Sequence, residues 1–141
     1  MEIANVAIQG VANNENVIFS EFITPGSPTI IHRVGSSIVK VRGLTNCQCR
    51  ARFRVFFNGN VAIPTDGTAT SVISIAISVD GEPVGAATML STPGAVEQYN
   101  NISASTYIDV PAGCCSTIAV KNISGVDINI QNANLIIERV A

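Results

Sequence analysis

Few side chains in this 141-residue chain have types and spacings that could do chemistry. Four cysteines stand in two tight pairs, Cys47 and Cys49 in "NCQCR" and Cys114 and Cys115 in "AGCCS", and the one histidine, His32, lies in "TIIHRVG". A cysteine thiolate becomes a nucleophile when an adjacent base takes its proton. None of the four sits in a nucleophile elbow or at a helix start, and no acid is spaced to orient His32, so no catalytic residue is predicted. Four thiolates can also hold zinc, but paired zinc ligands favour two or more intervening residues so that both reach one metal. The C-x-C and C-C spacings are too tight for that. Asp66, Asp80, Asp109 and Asp127 are scattered without calcium-loop spacing, and no glycine loop cradles a phosphate. Neither a metal nor any other cofactor is expected. If oxidised, four cysteines admit three intrachain pairings. Four reduced, buried thiols are the alternative for a chain folded in a cytosol.

The second chemical feature is the stretch "NCQCRARFRVFFNGN", residues 46–60. Alternate residues of a strand share a face. Cys47, Cys49, Ala51, Phe53, Val55 and Phe57 then belong to the core, and Arg50, Arg52, Arg54 and Phe56 form a stripe on the other side. Binding to nucleic acid runs on an excess of positive charge, whereas the net charge here is −2. A nucleic-acid surface is therefore not expected. Planar guanidinium groups also suit paired contacts with carboxylates at subunit boundaries. The stripe is read as a subunit interface, with Asp109, Glu138 or Glu97 as candidate partners on a neighbouring copy; a solvated face is the alternative. Asn58-Gly59-Asn60 is read as a turn or bulge at the strand end.

The elements that must position these residues follow from composition. Ile (19), Val (16) and Thr (10) far outnumber Leu (3), and β-branched side chains pack well on pleated sheets. Eleven Gly, six Pro and 13 Asn supply turns. Period-two alternation is clearest in "SVISIAISV" (71–79), with Ile73, Ile75, Ile77 and Val79 inward and Ser74, Ala76 and Ser78 outward. Asp80-Gly81 follows as a hairpin turn. Eight to ten strands at intervals of roughly 10 to 15 residues, with no helical pattern, predict an all-β double sheet. "NVIFSEF" (16–22) is read as one strand, and "VDINIQ" and "NANLIIERV" as two. Charged residues are only 13% of the chain, half the usual quarter, which implies that much of the surface meets other protein. The first residues lack the charged and apolar regions of a secretory signal. No stretch approaches the roughly 20 apolar residues that span a membrane, so membrane insertion is not expected.

The series "ARFRVFFNGNVAIP", "ISIAISVDGEPV", "STYIDVPAG", "STIAVKNISG" and "NANLIIERV" resembles the TNF-like family of jelly rolls, and within it the bacterial and phage branch. That branch includes heads of exosporium collagen-like glycoproteins and small phage virion proteins. The resemblance covers roughly residues 15 to 141. It implies a jelly-roll domain over 15–141, preceded by an N-terminal arm or first strand over 1–14. It further implies two five-stranded antiparallel sheets and a homotrimer whose inner sheet, including the last strand, lines a threefold axis. His32 would then face solvent or that axis. Strands in the positions of 50–57 and 103–110 are antiparallel neighbours in such a fold. Cys47 and Cys49 would thereby approach Cys114 and Cys115, and cross-pairing between the two clusters is the disulfide arrangement the resemblance implies. No collagen-like repeat precedes the domain, which favours a particle-decorating protein. The expected role is a non-enzymatic structural protein on a virion exterior, a capsid decoration or fibre head, with itself and a capsid or fibre protein as partners. The alternatives are a module binding carbohydrate or a host surface, and a component of a Gram-positive spore or cell surface.

Overall fold

A computed structural model describes residues 1–45, 49–68 and 71–141. The β-branched runs form eleven strands: β1 (Glu2–Asn5), β2 (Gln9–Val11), β3 (Glu21–Thr24), β4 (Ile30–His32), β5 (Val39–Arg42), β6 (Arg50–Ala62), β7 (Ile73–Val79), β8 (Glu82–Ser91), β9 (Asn100–Pro111), β10 (Cys115–Asn122) and β11 (Ile128–Arg139). No helix occurs among the described residues, and none is long and apolar enough to cross a membrane. One sheet has six strands in the order β3-β1-β11-β6-β9, with β2 also paired to β11. The other has five, in the order β4-β5-β10-β7-β8. From β5 to β11 the chain alternates between the two sheets, with β7 and β8 kept together as a hairpin, and the paired strands run antiparallel. The fold is an all-β jelly-roll sandwich.

The core is the inward half of each alternating strand. Ala51, Phe53, Val55 and Phe57 of β6 are fully buried, as are Ile73, Ile75 and Ile77 of β7 and Leu135 and Ile137 of β11. Between the sheets Phe57 meets Phe19 edge-on, with ring centroids 6.4 Å apart, the arrangement favoured by the ring quadrupole. Gly59 makes room for that ring, because a Cβ there would lie 3.2 Å from Phe57 Cζ. Two small outward residues of β7, Ala76 and Ser78, are also buried, and the Ser78 hydroxyl donates to Ala119 O at 3.3 Å. Asn122 is wholly buried and fully bonded: Nδ2 donates to Val11 O (3.0 Å) and Val126 O (2.9 Å), and Oδ1 accepts from Ser124 N (3.0 Å).

Several expectations change. Strand β6 runs unbroken through Asn58-Gly59-Asn60; the irregularity lies opposite, in β11 between Gln131 and Asn134, where Asn132 adopts φ +55°. The two strands expected from "VDINIQ" and "NANLIIERV" are one bulged strand. "NVIFSEF" is not one strand: Asn16 makes an isolated bridge to Lys121, Val17 and Phe19 point into the core, and β3 begins only at Glu21. Residues 1–14 contribute β1 and β2, laid along β11, which gives the larger sheet six strands where the resemblance implied five. Val79 is half-buried.

Candidate self-association face

Register fixes which side chains share the outward face of the larger sheet. Across β9 and β6 the opposed pairs are Pro111 and Arg50, Asp109 and Arg52, Tyr107 and Arg54, Ser105 and Phe56, Ser103 and Asn58, and Asn101 and Asn60. Across β6 and β11 they are Arg54 with Glu138, Phe56 with Ile136, Asn58 with Asn134 and Asn60 with Gln131. The stripe Arg50, Arg52, Arg54 and Phe56 therefore stands on this face, as its spacing predicts.

Its partners differ from expectation. Asp109 and Glu138 pair with it inside the same chain, because β9 and β11 are the two neighbours of β6. Arg52 grips Asp109 with two hydrogen bonds, Nε to Oδ1 at 2.8 Å and Nη2 to Oδ2 at 3.1 Å. Arg50 Nε adds an ion pair to Oδ2 at 3.4 Å, and Arg54 Nη1 lies 3.6 Å from Glu138 Oε1. The hydrogen bonds from Arg52 hold the Asp109 carboxyl below its usual range, against a smaller opposing effect of desolvation and with help from the charges of Arg52 and Arg50. Arg52 is held correspondingly above its own. Glu97 lies away from this face, in the connection to β9, where its N–H bonds Ile63 O at 2.8 Å.

The face thus has three zones. Arginines and carboxylates occupy one end. Phe56 and Ile136, both half-buried, form an apolar waist beside exposed Tyr107. The far end is built of side-chain amides. There Asn101 Nδ2 donates to Asn60 Oδ1 (3.2 Å), Asn60 Nδ2 to Asn132 Oδ1 (3.4 Å), and Asn134 Nδ2 to Glu2 Oε2 (2.8 Å). The sequence reading missed this amide end. Its signal was the period-two recurrence of Asn at 58 and 60 and the Asn/Gln cluster at 129–134. Across β9, β6, β11 and β1 three arginines stand against Asp109, Glu138 and Glu2, and Glu21 of the edge strand β3, opposite Ala4, adds one further negative charge.

Of the remaining chemical residues, the histidine lies in the smaller sheet, and the described thiols lie just beyond Arg50 and Pro111 at the charged end. His32 stacks edge-on against Phe22, with centroids 5.4 Å apart, and its Nδ1 and Nε2 each lie 3.2 Å from a carbonyl oxygen, of Ile38 and Phe19. Cys49, expected inside, precedes β6 and is exposed; Cys114 and Cys115 are exposed as well, and all three are free thiols. Cys47 lies outside the described residues. No intrachain disulfide therefore joins Cys49 to Cys114 or Cys115. Among the described residues, no three His, Cys, Asp or Glu side chains are grouped to hold a metal ion.

The sequence matches no protein-family model and no curated protein. The fold, in contrast, is shared with solved structures. The Eiger TNF of S. frugiperda superposes with a TM-score of 0.68 at 10% identity, over 100% of this chain and 92% of that one. The globular domain of a zebrafish complement 1qA protein gives 0.61 at 7% identity, over 96% and 93%. Murine APRIL gives 0.57 at 12%, over 92% and 95%. Identities this low carry the architecture alone, and on that ground the chain has the jelly-roll fold of TNF and C1q domains.

Proposed function

We propose that this protein is a non-enzymatic structural module that assembles as a homotrimer through the outward face of its larger sheet and decorates the exterior of a particle, most concretely a phage virion. The observation that carries the reading is the charge bookkeeping of that face. Each of its three arginines already has a carboxylate within the same chain, Arg50 and Arg52 at Asp109 and Arg54 at Glu138, so burying it against a copy strands no guanidinium. Unpaired charges are what make polar surfaces costly to bury. The apolar waist of Phe56 and Ile136 supplies the transfer free energy, and the amide end supplies hydrogen bonds that a neighbour can complete. The number three and the bacterial or phage setting come from the family resemblance, and the low overall charge supports a chain whose surface meets other protein. A capsid or fibre protein of the same particle would be the further partner.

A second reading has one observation in its favour. Tyr107, 64% exposed, lines a shallow depression with Arg54, Ser105 and Thr106, a combination that suits a carbohydrate or another host-surface group. It competes for the same face, so one measurement separates the two. Light scattering of the reduced protein should give three chains per particle. Phe56→Arg and Ile136→Arg, each on the outward side of an intact sheet, should give folded monomers by circular dichroism. A wild-type monomer would sink the trimer and promote the surface-binding reading.

A further inference from the structure

Three thiols gather at the charged end of the proposed face. Cys49 stands immediately before β6, and Cys114 and Cys115 at the turn from β9 into β10. The two segments are fastened by backbone hydrogen bonds. Cys49 O accepts from Ala112 N at 3.0 Å, Cys114 O from Gly43 N at 2.8 Å, and Gly43 O from Gly113 N at 3.0 Å. Gly43 is required for this closeness, since a Cβ there would stand 2.2 Å from Pro111 O. Cysteine is among the residue types most often buried. Three exposed, free thiols on one tightly tied rim depart from that habit, and exposed thiols are the ones open to exchange.

Symmetry limits what such thiols can do. In a threefold ring, one cysteine position per protomer can bridge only two of the three protomers. Two different positions permit a head-to-tail bridge that repeats three times and closes. We propose that Cys49 of one protomer forms a disulfide with Cys114 or Cys115 of its neighbour, so that oxidation seals the trimer covalently. This rests on the trimer proposed above. Each bridge makes one S–S bond from two S–H groups. The two protons and two electrons pass to a disulfide oxidant such as glutathione disulfide, which leaves as two thiols after a mixed-disulfide step.

The test uses wild type and Cys47→Ser, the latter removing the cysteine outside the described residues. Both are incubated with glutathione disulfide, capped with iodoacetamide and run on a denaturing gel without reductant. A three-chain species is expected from both, and its loss is expected in Cys47→Ser/Cys49→Ser and in Cys114→Ser/Cys115→Ser. Light scattering in reductant should still report three chains for every variant. A non-covalent trimer that denatures to single chains after oxidation overturns the bridge while leaving the trimer standing. A three-chain species that survives loss of Cys49 overturns the pairing. A monomer in reductant overturns the trimer and the bridge with it.

Discussion

At the scale of single residues, the molecule depends on polar groups that are completely satisfied. Asn122, at the end of β10, ties the last residue of β2 to the loop before β11 through three hydrogen bonds. Removing its amide leaves buried carbonyls and an N–H without partners, which costs about 1–3 kcal/mol. Asn122→Ala is expected to lower unfolding stability by at least that much, measured by urea denaturation. Asp109 illustrates a different principle. Its carboxyl is held below the usual range chiefly by Arg52. The linked stabilisation is therefore fully present above the ordinary aspartate value and is lost as pH falls through the lowered folded value. An NMR titration of the side-chain carbon should place the Asp109 midpoint below the ordinary aspartate value, and Arg52→Gln should move it back up. A midpoint unmoved by the substitution would remove Arg52 as the cause.

At the scale of elements, the β7–β8 hairpin shows how turn chemistry sets register. Asp80 and Gly81 take φ +53° and +86°, the pair of left-handed conformations that a tight two-residue hairpin needs. Asp80 Oδ1 also accepts from Thr117 N at 2.9 Å, tying the turn to β10. A side chain at Gly81 must adopt a conformation costing about 1–2 kcal/mol. Gly81→Val is expected to lower the thermal midpoint, whereas Gly85→Ala, where a Cβ meets open space, should be close to neutral. This hairpin was legible in the sequence because its signal is local. The same holds for the arginine stripe, which needs only alternate spacing. What was not legible is which strands lie side by side. Asp109 and Glu138 could be named as partners from their charge, but their placement in the same chain depends on β9 and β11 flanking β6, a contact between distant parts of the sequence. The bulge escaped for a related reason: Asn58-Gly59-Asn60 carries turn residues, yet Gly59 serves the Phe57 ring and the extra residues lie in β11.

At the scale of the whole molecule, the two faces of the larger sheet divide the work. The inward face is apolar and holds the sandwich together, while the outward face pairs its arginines within the chain and is graded from charge through an apolar waist to amides. Scarce charge implied only a surface that meets other protein; the zoning of this face became visible with the register.

The placement of β11 bears on how this chain must be made. It follows every other strand in the sequence yet sits inside the larger sheet, between β1 and β6. As the polypeptide leaves the ribosome, β1–β3 and β6–β9 emerge as two unjoined half-sheets with apolar sides and open edges. Neither has its central partner until residues 128–139 are synthesised. Folding is therefore a closing event delayed to the end of translation of this region, and a nascent chain stalled before Ile128 would be a strong client for chaperones.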